Sequence, residues 1–134
     1  MCIFCKIVNG DIPSYKVYED ENFLAFLDIS QTTKGHTLLI PKNHSDNVLS
    51  TSENTLSLML PLATKIALAI QKTTNAQGFN ILTNCGEIAG QSVMHFHIHI
   101  IPRYQNDTFN ISFTSNSFTK EDLTTLCSNI KESL

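Results

Sequence analysis

Three histidines alternate with apolar residues late in the chain, in the order His95-Phe96-His97-Ile98-His99. A period of two is typical of a β-strand, so we expect the imidazoles on one face of the strand and the apolar side chains on the other. Imidazole has an unperturbed pKa of about 6.5 and can act near neutral pH as a nucleophile or as an acid. We term these three residues the histidine row.

The segment before the histidine row has the composition of an anion-binding turn, with Gly86, Gly90, Gln91 and Ser92. Glycine lets a backbone approach a ligand closely, and successive N–H groups can surround an anion. Imidazoles beside such a turn suit phosphoryl transfer, but the residues alone leave two alternatives. The row could be a polar strand face, or it could hold a catalytic metal, since His-x-His on a strand can ligate one ion.

A pair of cysteines, Cys2 and Cys5, stands at C-x-x-C spacing near the start of the sequence. A redox pair of this spacing usually follows a strand, and only Met1 precedes this one. As half of a tetrahedral zinc site the pair needs two more ligands, for which several histidines are available, namely His36, His44 and His95. Two reduced, buried cysteines are the remaining interpretation. We expect Cys85 and Cys127, which lack partners at ligand spacing, to be packing residues.

The bulk properties predict one soluble globular domain of 134 residues, with 42% hydrophobic and 16% charged residues. The net charge of −3 argues against a large nucleic-acid-binding face. The sequence contains neither a signal-peptide pattern nor an apolar run of about 20 residues that could span a membrane. We therefore expect a cytoplasmic protein with reduced thiols, without nucleic-acid or membrane partners.

Hydrophobic periodicity predicts an α+β fold with a mainly antiparallel sheet of about five strands and one long helix. The core covers residues 1–105. Its strands are expected at residues 15–19, 23–28, 35–40, 79–83 and 95–102, and its helix at residues 51–75. Pro61 should kink that helix or divide it in two. Residues 106–118 should be irregular, and residues 119–134 should form a C-terminal helix with a capping box at Thr119 and Asp122. The apolar stripe of this helix should bury against its own sheet or a partner subunit.

Several ordered segments together resemble the histidine triad (HIT) family of nucleotide hydrolases and transferases. They are the histidine row with its flanking residues up to Ile101, residues 35–44, residues 89–93 and residues 2–7. The resemblance extends from Cys2 to about Arg103. The N-terminal cysteines resemble those of the branch of the family that binds structural zinc and includes purine nucleoside phosphoramidases. In that branch the matching ligands imply Cys2, Cys5, His44 and His95.

The resemblance also implies a role for each site residue. His97 would be the nucleophile that forms a covalent nucleotidyl-histidine, and His99 would bond the phosphate or the leaving group. Asp28 would hold the ribose hydroxyls, Asn84 would contact ribose or phosphate, and Gln91 would orient the bridging atom or water. The phosphate would bind backbone N–H groups of residues 91–93, which include Ser92 and Val93. The base would bind apolar side chains, namely Ile3, Phe4, Ile7, Phe26 and Ile29.

The implied function is hydrolysis of a purine nucleotide at a substituted α-phosphate, with release of AMP or GMP and no requirement for magnesium. A dinucleoside polyphosphate hydrolase and a nucleotide-binding regulatory protein with little turnover remain alternatives. The family also implies a homodimer. Many members have a proline where this chain has Gln31, so we expect a less rigid loop at residues 30–34.

Overall fold

A computed structural model describes residues 2–134. The helices are α1 (Ile3–Val8), α2 (Glu53–Thr74) and α3 (Lys120–Ser133). The strands are β1 (Lys16–Glu19), β2 (Phe23–Leu27), β3 (Thr37–Pro41), β4 (Gly78–Leu82) and β5 (Ile98–Arg103). They form one antiparallel sheet in the order β1-β2-β3-β5-β4. The predicted α+β class with a five-stranded sheet is confirmed.

The two faces of the sheet carry separate apolar clusters because neighbouring side chains on a strand point to opposite sides. Phe23 and Ala25 of β2 pack with the buried face of α2, whereas Leu24 and Phe26 pack with α1. Phe96, Ile98 and Ile100 belong to the cluster on the α2 side. The alternation predicted for the histidine row therefore holds, and its imidazoles lie on the α1 side of the sheet.

Helix α2 continues through Pro61, so the prediction that Pro61 begins a second helix is wrong. Met59 and Ala63, on either side of the proline, are at most 1% exposed, and their burial offsets the lost backbone hydrogen bond. The Ser52 hydroxyl caps the first turn, and Asn75 ends the helix in the left-handed conformation. Leu60 fits the helical spacing of apolar residues in the sequence, but it is 59% exposed in the structure.

Three elements differ from expectation. Helix α1 was not predicted, and β5 begins only at Ile98, so His95 and His97 precede the strand. Helix α3 forms with the predicted Thr119–Asp122 capping box, but every one of its residues is exposed. Its stripe does not bury against its own sheet. None of the helices in residues 2–134 is long and apolar enough to cross a membrane.

Candidate active site

The histidine row lies in the interior of the protein, under helix α1. His95 is fully buried and His97 is 4% exposed. The ring of Phe4 packs edge-on against both imidazoles, with centroid distances of 5.9 and 5.2 Å. These two histidines therefore do not form a solvated polar strand face, which was one interpretation of the sequence.

His97 is held in one tautomer by the backbone. Its Nδ1 lies 2.6 Å from the carbonyl oxygen of His95, which can only accept, so Nδ1 carries the proton. Nε2 of His97 then keeps its lone pair. Burial lowers the pKa of His97 below its ordinary value, although the His95 carbonyl and Asp28 oppose this effect. His97 thus presents a neutral, unprotonated nitrogen near neutral pH.

His99 is paired with His36, which the sequence suggested only as a possible zinc ligand. Nε2 of His36 lies 2.9 Å from Nδ1 of His99. The Thr32 N–H donates to Nδ1 of His36 at 3.4 Å, which favours a proton on Nε2 of His36 and donation from there to His99. The carbonyl of Ser30 has an effect opposite to that of the Thr32 N–H, because it raises the pKa of His36. Within the described residues, this carbonyl forms no hydrogen bond of normal geometry with the His36 ring.

In this arrangement neutral His99 carries its proton on Nε2, the nitrogen not bonded to His36. Burial lowers the pKa of His99 to about 4, and the neighbouring His97 and His36 add to the effect. The ring centroids of His97 and His99 are 5.0 Å apart. The row therefore places an unprotonated nitrogen and a nitrogen that can donate a proton side by side.

Asp28 lies at the end of β2, close to this pair of histidines. Oδ1 accepts from the Ser30 N–H at 2.8 Å, and Oδ2 is 3.8 Å from Nε2 of His36. Asp28, His36 and His99 have the side-chain types of a metal site. The hydrogen bond between the two imidazoles accounts for their separation without an ion. The second oxygen of Asp28 remains available for a hydroxyl donor.

Gln31 fixes the loop that carries Asp28 and His36. Its amide nitrogen donates to the carbonyls of Asp28 and His36 at 2.5 and 2.7 Å. Its amide oxygen accepts from the Gly35 N–H at 2.7 Å. The expectation of a looser loop was wrong, because these three bonds span the loop from both sides. The sequence gives no signal for this role beyond the polar type of the side chain.

The predicted anion-binding turn is built around Gln91, which is 3% exposed. Gly86 and Gly90 both have a φ of 91°, a backbone conformation that favours glycine. The Gln91 amide accepts from the Gly86 N–H at 2.8 Å and donates to the carbonyls of Asp46 and Val93 at 2.6 and 3.0 Å. Because these three hydrogen bonds engage the polar atoms of the Gln91 side chain, it holds the loop and is not free to orient a substrate atom.

The backbone beyond Gln91 is open to a ligand. The Gln91 N–H bonds to the Gly86 carbonyl, but the N–H groups of Ser92 and Val93 bond to no protein group within residues 2–134. Ser92 is exposed, and Val93 packs against the cluster that contains Phe4. Asn84 reaches across the turn to the Gly90 carbonyl at 3.4 Å. Two free N–H groups beside the histidine row can donate hydrogen bonds to phosphate oxygens.

The apolar side chains expected to bind a base are divided by burial. Phe4, Ile7 and Phe26 are 4–8% exposed and form part of the core on the α1 side. Ile3 and Ile29 are 49% and 86% exposed. The buried members pack between α1 and the sheet, beside the histidine row, and the two isoleucines leave apolar surface for a planar ligand.

Four nitrogen and sulfur ligands converge where α1 meets the histidine row. Sγ of Cys2, Sγ of Cys5, Nδ1 of His44 and Nδ1 of His95 all lie within 4.8 Å of one another. Sγ of Cys5 is 3.4 Å from Nδ1 of His44, and Sγ of Cys2 is 3.5 Å from Nδ1 of His95. His36, the third histidine considered for this role, is not part of the cluster.

The outer nitrogens of the two clustered histidines have partners that orient the rings. Nε2 of His95 donates to the Pro41 carbonyl at 2.8 Å, and Nε2 of His44 lies 3.1 Å from Oδ1 of Asp46. Both Nδ1 atoms therefore turn their lone pairs toward the cysteines, as metal-ligating histidines do. This set of donors fits a tetrahedral Cys₂His₂ zinc site. Cys85 is half-buried, whereas Cys127 is exposed on α3 and is not a packing residue.

Comparison with known proteins agrees with this geometry. Residues 9–106 match the model of the HIT domain. The chain is 51% identical to Protein hit of Bacillus subtilis, over 99% of this chain and 94% of the relative. A crystal structure of a HIT family member from Bacillus subtilis matches with a TM-score of 0.93 at 51% identity, over 99% of this chain and 96% of that one.

A relative with a named activity is also similar. The adenosine 5′-monophosphoramidase hnt1 of Schizosaccharomyces pombe is 48% identical over 76% of this chain and 74% of the relative. The family match covers the loop of Asp28, the turn around Gln91 and the whole histidine row. This chain, with its alternating imidazoles above an antiparallel sheet, is therefore a member of the HIT family.

Proposed function

We propose that this protein hydrolyses nucleotides at a substituted α-phosphate through a covalent nucleotidyl-histidine at His97. The observation that carries the proposal is the hydrogen bond from Nδ1 of His97 to the His95 carbonyl. It leaves Nε2 unprotonated and directs it away from the backbone. A nucleophile of this kind needs no separate base to remove a proton before attack.

In the first step the lone pair of His97 Nε2 forms a bond to the α-phosphorus, and the bond from phosphorus to the leaving group breaks. Neutral His99 donates a hydrogen bond from its Nε2–H group to the leaving nitrogen or oxygen, which takes its proton from solvent water. In the second step a water molecule attacks phosphorus and gives its proton to solvent, and the bond from phosphorus to His97 breaks. Nucleoside monophosphate leaves, and His97 returns to its starting state.

The turn around Gln91 would stabilise the charge that develops on the phosphate. The free N–H groups of Ser92 and Val93 would donate to phosphate oxygens, and Asn84 would reach the ribose or the phosphate. Gln91 supports this geometry by holding the loop. Because backbone donors supply the neutralising dipoles, the proposed reaction needs no magnesium.

The nucleoside would lie between the α1 side of the sheet and the loop of Asp28. The free oxygen of Asp28 would accept from the ribose hydroxyls. The base would contact the exposed Ile3 and Ile29, next to the buried Phe4, Ile7 and Phe26. The named activity of the relative from Schizosaccharomyces pombe supports an adenosine 5′-phosphoramidate as substrate, and the proposal covers purine nucleotides generally.

Zinc would be held by Cys2, Cys5, His44 and His95. When bound, the ion would act structurally, by tying α1 to the segment that carries His97. All four protein ligands are used, which leaves no open position of the kind that catalytic zinc sites keep. We further propose a cytoplasmic homodimer.

Mass spectrometry after rapid quenching tests the covalent step. We expect adenosine 5′-phosphoramidate to leave an adenylyl group on the peptide that contains His97, and His97→Ala to lose that adduct while still binding AMP. A panel of adenosine and guanosine phosphoramidates, adenylyl sulfate and dinucleoside polyphosphates identifies the leaving group. AMP binding without turnover of any member of the panel would instead indicate a nucleotide-binding regulatory protein.

A further inference from the structure

The last part of the chain, residues 106–134, consists of a segment without regular secondary structure followed by α3. We term it the C-terminal arm. Its root is fixed, because Arg103 bonds Asp107 at 2.9 and 3.0 Å and the Phe109 carbonyl at 2.6 Å. Beyond Phe109, the recorded hydrogen bonds of the arm's residues are all made within the arm. The arm leaves the body of the protein from an anchored point.

Helix α3 exposes an apolar stripe along its length. Leu123, Leu126 and Ile130 are each 53–54% exposed, and Leu134 is fully exposed. An isolated helix of fewer than about 12–15 residues is marginal in water, and most helical stability comes from packing of the apolar face. The 14-residue α3 contacts nothing that covers its stripe. A partner surface is therefore needed.

The body of the same protein has a groove that matches this requirement. A cavity of about 460 Å³ lies between α2 and the sheet, on the face opposite the histidine row. Its apolar walls come from both layers, and they include Val17, Leu27, Ile66, Ala69 and Ile70. We term it the α2 groove. Its walls expose far more apolar than polar surface, which is the environment that a stripe of leucine and isoleucine fits.

The charges of the two surfaces are complementary. Lys34 and Lys65 are the two charged residues that line the α2 groove. Helix α3 carries two lysines and three acidic residues, which gives a net charge of −1. Attraction between these surfaces favours the arm over a basic partner segment.

The exposure of the arm favours exchange between two copies over closure within one. The root already touches the edge of its own groove, because the Tyr104 hydroxyl donates to the Lys34 carbonyl. The arm of the same chain does not enter that groove, because residues 112–134 are all exposed. The groove is therefore left open to the arm of a second copy. The match to the crystal structure from Bacillus subtilis also extends over the arm.

We propose that the C-terminal arm of one copy lays the α3 stripe into the α2 groove of a second copy, and that the second arm returns the same contact. Reciprocal exchange of one element forms a closed twofold dimer. The arm would also contact Gln31, which lines the groove and holds the loop of Asp28 and His36. The neighbouring copy would thus brace the loop that carries part of the active site. The assembly itself does not depend on the proposed reaction.

Disulfide trapping in the full-length chain tests the exchange, because the native Cys127 lies on α3 and is exposed. A second thiol is introduced into the α2 groove as Ala69→Cys, Thr73→Cys or Val17→Cys, one at a time. Mild oxidation should give a covalent dimer with at least one of these variants, and Cys127→Ser should abolish it. Thr64→Cys, on α2 but outside the groove, should stay monomeric in a non-reducing gel.

Disulfides within one chain, or free thiols in all three groove variants, would overturn the proposal. A second measurement uses Leu126→Glu combined with Ile130→Glu. Charges on the stripe should weaken the dimer roughly a hundredfold or more by light scattering, because they remove apolar contacts twice per dimer. Thr125→Glu, on the other face of α3, should leave the dimer intact. An equally stable dimer in the doubly substituted chain would contradict arm exchange.

Discussion

Nε2 of His36 lies 2.9 Å from Nδ1 of His99, so the third member of the histidine row is oriented by the histidine that immediately precedes β3. Burial lowers the pKa of both rings, that of His99 to about 4. The pair is therefore uncharged at neutral pH, and the shared hydrogen bond decides which nitrogen of His99 carries the proton. This relationship makes His99 the candidate donor to the leaving group.

Replacement of His99 should affect substrates according to their leaving group. An amine must gain a proton as it leaves, whereas 4-nitrophenolate leaves without one. We expect His99→Ala to slow hydrolysis of adenosine 5′-phosphoramidate by roughly 10²–10⁴-fold, and the 4-nitrophenyl ester of AMP far less. Steady-state kinetics with both substrates checks this. Equal losses for the two would show that the His99 hydrogen bond does not assist departure of the leaving group.

Activity should persist to lower pH than a free imidazole nucleophile would allow. The active form of His97 is neutral, and burial lowers its pKa below the ordinary value of about 6.5. The rate should therefore be highest toward pH 8 and should fall through a midpoint below pH 6.5, as His97 becomes protonated. A pH profile of kcat/KM measures the midpoint. A midpoint above 6.5 would contradict the burial argument.

Gln91→Ala should destabilise the protein because the Gln91 amide bonds three backbone groups from within the fold. We expect a loss of about 1–3 kcal/mol in the free energy of unfolding, since polar groups would lose their partners. Denaturant unfolding gives the value. The exposed Ser92 provides a matched control, and Ser92→Ala should change stability little. Comparable losses for the two variants would argue against a supporting role for Gln91.

Zinc content should depend on the N-terminal cysteines. We expect about one equivalent of zinc per chain in purified protein, since Cys2, Cys5, His44 and His95 supply a full tetrahedral set. Elemental analysis of Cys5→Ser should show most of this zinc lost, with a lower melting temperature. Cys85→Ser serves as the control and should retain the metal. Equal zinc in Cys5→Ser and the unchanged chain would refute the site.

Asp28→Asn should weaken recognition of the ribose. A carboxylate is a stronger acceptor for hydroxyl groups than an amide, and Oδ2 of Asp28 has no donor besides the distant His36 ring among the described residues. We expect roughly a tenfold preference for adenosine over 2′,3′-dideoxyadenosine phosphoramidate in kcat/KM, and a smaller one in Asp28→Asn. An unchanged preference would place the ribose elsewhere.

Local sequence patterns predicted the sheet and the site well where the spacing of neighbouring residues determines the structure. Alternation placed Phe96 and Ile98 on the core side, and the zinc ligands inferred by resemblance do converge. Prediction from the sequence failed where contacts between residues far apart in the chain determine the structure. Pro61 remains helical because residues on both sides of it are buried, and burial cannot be deduced from the proline itself.

The role of His36 illustrates the same limit. Its partner His99 is 63 residues away, and the two meet only because β3 lies beside β5 in the sheet. Gln31 likewise looked like an ordinary loop residue, yet three hydrogen bonds make it the support of its loop. Helix α1 escaped prediction because six residues give too little periodicity to recognise.

Because β5 starts at Ile98, the backbone holds the residues of the histidine row in two different ways. His99 belongs to the rigid ladder of the sheet, whereas His97 precedes it and is tethered through the His95 carbonyl to the cysteine cluster. Oxidation of the cysteines would therefore displace His97, the proposed nucleophile, while His99 keeps its position in the sheet. Under the proposed reaction, the protein would keep its sheet but lose the relative placement of its two imidazoles.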